Sequence, residues 1–311
     1  MIIILQNGGL GNQLFQLCYG LSEFSTQDIY LDSYSTKLHW AKKSEMQKLF
    51  LPNNVKLFQK KRNRLILKLF SKHLLHLSLS RNSKVSFFRK IVDYVGTYLA
   101  TLYFMIRYHG SIEIYCEGFL VTKKLVNPTN RLYVGYFQTE NFPKKIDKNQ
   151  LVGLFINADA HVKIQELKEL SNQRKIIVMH LRFGDYINDL NIGNLSVEYF
   201  TEAINYLESK NVYNEIWIFS DNEAKAKYFL PSRFKNQTKI ISTTHLSPVV
   251  ALRCMQFGSG YILSNSTFSW WGAYLRQNSK APVVVPARWF DKLVWSASLI
   301  PKGWYRVEND F

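Results

Sequence analysis

The sequence predicts an α/β chain whose second half is a doubly wound parallel sheet. Short apolar runs, the pattern of strands buried on both faces, recur at Lys175–His180, Glu215–Phe219, Lys239–Ile241, Tyr261–Leu263 and Ala281–Val285. Segments of helical periodicity separate them, and strict strand–helix alternation builds a parallel sheet. The length of 311 residues, with 47% hydrophobic and 20% charged, is enough for two globular domains.

The first half opens on Met1–Leu5, read as a buried strand. That run has no basic flank, and it is too short for a signal segment or a membrane span. Gln6–Gly11 reads as a turn, Asn12 to about Phe24 as a helix and Ile29–Leu31 as a second strand. The stretch Gly8-Gly9-Leu10-Gly11-Asn12-Gln13-Leu14-Phe15-Gln16 thus joins a strand to a helix, as a nucleotide loop does. Leu14 stands where a dinucleotide fingerprint needs glycine, and no Gly-Lys-Ser/Thr follows. What remains is a tight turn that brings backbone close to a ligand.

Charge separates the next segment. The formal net charge is +17, and fifteen Lys or Arg fall between Lys37 and Lys90 against one acid, Glu45. Leu65–Phe70 and Leu74, Leu75 and Leu77 recur at helical spacing among these cations, predicting basic amphipathic helices in an insert over 37–110. A solvated basic face is one reading, and attraction to an anionic membrane surface or a pyrophosphate-linked acceptor is another. No nucleic-acid-binding motif accompanies the charge. Ile91–Ile106 is too short and too interrupted for a membrane span. Tyr133–Phe137 reads as a strand and Asn157–Leu170 as a helix bridging to the second half.

In the second half Ser196 is a candidate N-cap, with Tyr199, Phe200, Ile204 and Leu207 on the inner face of its helix. Further helices are expected from about Glu223 and over Ser247–Phe257, with Ala281–Val285 as the last strand. Ligands of such sheets bind beyond the carboxyl ends of the strands, and the polar clusters fall there. His180-Leu181-Arg182-Phe183-Gly184-Asp185 follows one strand, and an Arg at a strand end suits bidentate contact with phosphate; a structural Arg–Asp pair is the plainer reading. Asp221, after the next strand, can accept from a ribose hydroxyl or a base N–H, though Ser-Asp is also a common turn. Ser264–Ala273 joins a strand to a helix, where amides and the hydroxyls of Ser266 and Thr267 form an anion site without a cation. Trp270 and Trp271 read as helix packing.

Some chemistries are disfavoured. There is no Asp-x-Asp for a divalent cation, no Gly-x-Ser-x-Gly elbow and no Cys-x-x-Cys; the three cysteines are far apart, which fits a reducing compartment. His73 and His76 read as surface residues. A diphosphate leaving group without metal needs fixed positive charge and oriented dipoles, which Arg182 and the helix start at Ser266–Thr267 would supply.

The segments GGLGNQLFQ, HLRFGDY and NSTFSWWGAYL together resemble the α-1,2-fucosyltransferase family, glycosyltransferase family 11, and span residues 8 to 275 in the family's order. The resemblance implies a GT-B fold: two Rossmann-like domains facing a cleft, with the basic insert in the N-terminal half. The expected limits are 1–172 for the acceptor-side domain, 173–295 for the GDP-sugar domain, and 296–311 for a tail packing back on the N-terminal domain. It implies GDP-fucose as donor, no metal or other cofactor, and inversion at the fucose. Arg182 becomes the pyrophosphate contact, with His180 and Asp185 as its partners and base candidates. Gly9, Gly11, Asn12 and Gln13 match the N-terminal loop, Asn265, Ser266, Thr267 and Phe268 the second donor-side segment, and Asp221 the nucleoside position. The family often has two adjacent arginines, and Phe183 occupies the second place. A lipid-linked oligosaccharide acceptor is implied, with 37–90 touching an anionic membrane from the cytoplasmic side. The alternatives are another GDP-sugar or linkage on the same fold, or a non-catalytic glycan- or membrane-binding protein.

Overall fold

The structure, a computed structural model, describes residues 1–32, 44–58, 91–92, 95–96, 98–99, 102, 105–106, 110–116, 119–122, 130–183, 193, 195–291 and 297–310. The chain divides into two compact units, Met1–Gln150 with Leu293–Leu299, and Leu151–Lys292 with Ile300–Phe311. Each is built on a six-stranded sheet.

The first unit contains β1 (Ile2–Leu5), α1 (Leu10–Glu23), β2 (Ile29–Asp32), β3 (Val55–Leu57), β4 (Gly110–Cys116), β5 (Phe119–Thr122) and β6 (Asn130–Val134). Its strand order is β3-β2-β1-β6-β4-β5, parallel throughout except for the antiparallel β4–β5 pair. β1 is buried at all four positions, which is why the sequence there is uninterrupted Ile and Leu. α1 starts at Leu10, two residues before the expected Asn12, so Gly11, Asn12 and Gln13 lie in its first turn.

Other expectations shift. The strand expected at Tyr133–Phe137 is Asn130–Val134, and the chain then turns through Phe137, whose φ of 54° is incompatible with a continuing strand. The Phe137 ring is instead buried, stacked on Tyr19 at 4.1 Å between centroids. Within the insert expected to be helical, Val55–Leu57 forms an edge strand beside β2. A three-residue edge strand is too short to show a period in sequence. The basic helices expected at Leu65–Phe70 and around Leu74–Leu77, with His73 and His76, lie outside the described residues. Among the described residues no helix is long and apolar enough to cross a membrane.

The second unit takes up α2 (Lys148–Gly153), which straddles the boundary, then α3 (Val162–Gln173), β7 (Ile176–Leu181), α4 (Val197–Lys210), β8 (Glu215–Ser220) and α5 (Glu223–Phe229). It continues with β9 (Thr238–Ser242), α6 (Pro248–Cys254), β10 (Gly260–Ile262), α7 (Thr267–Tyr274), β11 (Val283–Pro286) and β12 (Tyr305–Val307). The order is β12-β11-β10-β7-β8-β9, all parallel. Ser196, Asn222 and Ser247 cap α4, α5 and α6 by accepting from Tyr199, Lys225 and Val250 N–H. Tyr199, Phe200, Ile204 and Leu207 are buried in one cluster with the strands, as the periodicity predicts.

Two domain limits are corrected. Asn157–Leu170 does not bridge to the second half but belongs to it. Ile164 and Leu167 of α3 are buried, and Arg253 on α6 holds Asp159 through Nε at 2.6 Å and Nη2 at 3.2 Å. Residues 300–311 also belong to the second unit rather than packing on the first. Tyr305–Val307 adds a strand to β11, Tyr305 stacks on Tyr206 at 3.6 Å, and Asn309 exchanges two hydrogen bonds with the backbone of Arg288. Ser298 lies in the first unit, where its carbonyl accepts from Glu140 N–H.

Cys18 and Cys254 are free and buried; burial pushes the Cys254 thiol up to about 12 and raises Cys18 further. Gly258, which leads into β10, donates its N–H to Tyr261 OH at 2.8 Å. A Cβ there would stand 2.8 Å from Tyr261 Cζ, 2.9 Å from Val178 Cγ2 and 3.1 Å from the Gly260 carbonyl oxygen. Gly258→Ala is therefore expected to destabilise the fold by about 1–3 kcal/mol, the cost of overpacking a filled core. Urea unfolding with a lowered midpoint and an unchanged m value is the measurement that checks it.

Candidate functional site

In the second sheet the chain runs β7, β8, β9 in one direction, then returns to the other side of β7 for β10, β11 and β12. The reversal falls between β7 and β10, and a crevice beyond the carboxyl ends of those strands is where open α/β sheets bind ligands. Two of the three polar clusters of this half lie at these strand ends. His180 is the penultimate residue of β7 and Ser264 follows β10, and Nδ1 of His180 lies 2.8 Å from Ser264 Oγ with both side chains buried. The donor in that bond depends on the imidazole tautomer. The His180 ring also packs against Phe268, 5.6 Å between centroids.

The segment after β10 is held mostly by its own polar groups. Ser266 N–H donates to the Ser264 carbonyl at 2.8 Å, and Ser266 Oγ caps α7 by accepting from Phe268 N–H at 3.3 Å. Ser269 Oγ donates to the carbonyls of Ser264 at 3.0 Å and Ser266 at 2.8 Å. Asn265 Nδ2 donates to the Gly193 carbonyl at 3.1 Å, tying this loop to the segment before α4. Asn265 and Ser266 are buried; Thr267 and Phe268, the first residues of α7, are partly exposed. Trp270 and Trp271 are fully buried, and Trp270 stacks on Tyr274 at 4.5 Å, so the indoles are core.

On the β7 side Arg182 is the first partly exposed residue beyond the strand. Phe183 N–H donates to Asp221 Oδ1 at 2.8 Å, linking the ends of β7 and β8. One oxygen of the expected nucleoside contact therefore grips the Arg182 turn. Gly184 and Asp185 lie outside the described residues.

The first unit shows the same construction. Its chain reverses between β1 and β6, and the loop Gln6–Gly9 follows β1 while Gly135–Gln138 follows β6. Asn7 Nδ2 donates to Tyr136 OH at 2.7 Å, and Gln138 Nε2 to Asn12 Oδ1 at 3.0 Å. Gln16 accepts from Asn7 N–H at 2.9 Å and donates to the Gly135 carbonyl at 3.0 Å. Gln13 donates to the Gly8 carbonyl at 2.9 Å and accepts from Glu45 N–H at 3.0 Å. Gln13 thus ties the loop at Gly8 to the backbone of Glu45. Gly8 has a φ of 75°, and a Cβ would meet Asn12 Nδ2 at 2.3 Å. Gly9 caps α1 with open space on its Cβ side, and Gly11 is buried in the first turn.

Sequence reading missed Asn7, Tyr136 and Gln138, whose signal was their place directly after two strands that neighbour in space. It also took Tyr199 only as core. Its hydroxyl donates to the Leu263 carbonyl at 2.7 Å, and burial raises its pKa well above the ordinary phenol value, so it stays a donor.

Two Rossmann-like α/β units, each with a polar loop at its switch point, define a protein of the GT-B kind. Residues 115–308 match the family described as Glycosyl transferase family 11, and the chain belongs to that family. An Alpha-1,2-colitosyltransferase of Escherichia coli is 25% identical over 182 residues, covering 57% of this chain and 62% of that protein. The O-antigen biosynthesis glycosyltransferase WbnK of Escherichia coli is 30% identical over 139 residues, 42% of this chain and 44% of that one. The aligned regions thus span less than two thirds of either relative. Among solved structures, the fucosyltransferase NodZ from Bradyrhizobium aligns with a TM-score of 0.47 at 10% identity, over 88% of this chain and 92% of that one. A family 9 glycosyl transferase from Veillonella parvula aligns at 0.45 and 11%, over 99% and 86%.

Tyr199→Phe leaves the buried Leu263 carbonyl without its donor. The expected loss is about 1–3 kcal/mol of stability, read by chemical denaturation.

Proposed function

We propose that this chain is an inverting, metal-independent α-1,2-fucosyltransferase, transferring L-fucose from GDP-β-L-fucose to the 2-hydroxyl of a terminal galactose during O-antigen or capsule synthesis. The observation that carries it is the His180–Ser264 bond at the β7–β10 reversal, which sets the Arg182 turn and the start of α7 on neighbouring strand ends. Membership of family 11 and the two Escherichia coli relatives, a colitosyltransferase and an O-antigen glycosyltransferase, support the reaction class.

In the proposed reaction the bond between fucose C1 and the GDP oxygen breaks as the galactose 2-oxygen bonds to C1 from the opposite face. Negative charge grows on the departing diphosphate. The Arg182 guanidinium, through bidentate hydrogen bonds, and the amides at the start of α7 stabilise it. The acceptor proton passes to a base, for which Asp185 is the candidate. His180, buried and bound through Nδ1 to Ser264, is read as the residue that orients the strand ends. Asn265 and Ser266 shape the donor loop, Thr267 and Phe268 present its helix start, and Gly9 with Gly11, Asn12 and Gln13 of the first turn of α1 form the corresponding loop-to-helix segment of the first unit. The acceptor is read as lipid-linked, met at the cytoplasmic face of the membrane with the basic 37–90 segment nearby. A second reading keeps the fold and mechanism with another GDP-sugar, and the colitosyltransferase relative favours it.

Purified protein incubated with GDP-fucose and a set of β-galactosides, with linkage assigned by NMR, tests the function. Transfer should continue in EDTA, and Arg182→Ala should reduce it by about 10²–10³-fold, as loss of a group stabilising transition-state charge does. Near-normal transfer by Arg182→Ala would overturn the assignment. Turnover of GDP-colitose alone would replace the donor.

A further inference from the structure

Phe183 occupies the position where the resembled family often has a second arginine, and the structure gives it a different task. Its ring meets Phe229 of α5 edge-on, 5.4 Å between centroids at 68°, and Phe229 meets Phe200 of α4 at 5.3 Å and 81°. Phe200 is buried in the core of the second unit, and Phe183 packs against the same cluster. Lys225 Nζ lies 5.9 Å from the Phe183 ring centroid. The backbone of the same residue is held separately by Asp221, as described above, through the 2.8 Å bond to its N–H. That N–H belongs to the peptide joining Arg182 to Phe183. A carboxylate bound to it sets the plane of that peptide, and the ring prevents the chain from turning about it.

We propose that Asp221 and Phe183 are positioning residues that together aim Arg182 at the diphosphate, Phe183 serving as an apolar anchor in place of a second cation. This rests on the functional reading above. Arginine has many rotamers, so its contribution in the transition state depends on a backbone already in place. Losing the anchor displaces the guanidinium by a fraction of its reach, and displacements near 1 Å cost on the order of 100-fold in rate. Nucleotide binding, which draws on the rest of the site, changes much less. Asp221 is thus assigned an action through Arg182 rather than through the nucleoside.

The test compares Asp221→Asn with Asp221→Ala and Phe183→Leu with Phe183→Ala. Steady-state transfer and GDP affinity by calorimetry are measured on protein whose unfolding midpoint is recorded. In Asp221→Asn the side-chain amide oxygen still accepts from the Phe183 N–H, and in Phe183→Leu the new side chain still fills the apolar pocket. Both conservative variants should keep kcat within about threefold, whereas the alanine variants lose about 10- to 100-fold in kcat with GDP affinity within about threefold. Equal loss of GDP affinity in Asp221→Asn and Asp221→Ala would overturn the proposal in favour of a nucleoside contact. A kcat for Phe183→Arg above wild type would overturn it in favour of a missing second cation. If the wild type binds GDP but leaves GDP-fucose intact, the donor assignment fails. The same four variants read with the GDP-sugar that is turned over then decide the positioning claim separately.

Discussion

A buried imidazole and a buried hydroxyl, 2.8 Å apart, join the two strand ends on which the candidate site of the second unit depends. β7 and β10 neighbour in space but lie far apart in the chain, since β8 and β9 intervene. Each strand end alone is a loop free to turn in several ways. Once His180 and Ser264 are paired, the direction in which Arg182 leaves β7 and the direction in which α7 begins are set together. Tyr199 reinforces this from α4 by donating to the Leu263 carbonyl, and Asp221, just after β8, does so by accepting from the Phe183 N–H. Polar groups buried at the carboxyl ends of central strands need partners, and here the partners come from the ends of β7, β8 and β10 and from α4.

The first unit follows the same physical logic with amides in place of an imidazole. Gln13 and Gln16 each use both ends of the side chain to hold backbone groups: Gln13 those of Gly8 and Glu45, Gln16 those of Asn7 and of Gly135 after β6. Buried amides paired at both the oxygen and the nitrogen resist rotation, because turning them strands a donor and an acceptor in a low-dielectric interior. A loop can therefore be glycine-rich without being loose. The side chains that looked available for ligand contact in a linear reading are in part the ones that build the platform.

Much of the second unit was legible because β7, β8, β10 and β11 are buried nearly throughout and α4 to α7 carry Ser or Asn caps, so these elements announce themselves locally. Glu215–Phe219, the Ser196 cap and the inward face of α4 appear where periodicity puts them. The strands β3 and β12 did not, because three-residue edge strands have no period and gain their stability from the neighbour they pair with. The limits of the units were also misplaced. Where a helix such as α3 docks is decided by contacts like Asp159 with Arg253, which join residues distant in the chain.

By itself the sequence determined the α/β class, the strand–helix order of the second half, the burial of Trp270 and Trp271, and the three polar segments that mark the family. These are local properties of periodicity, capping and residue type. Tertiary structure alone decided which strand ends meet, and with that the tasks of individual side chains. His180 became a tie to Ser264, Ser266 a helix cap, Asp221 a grip on the Arg182–Phe183 peptide, and Asn7 and Tyr136 a pair across the first unit's reversal. The physical reason is that a hydrogen bond depends on distance and direction between groups, and for residues on neighbouring parallel strands both are set by the crossover of the chain, which no local pattern encodes.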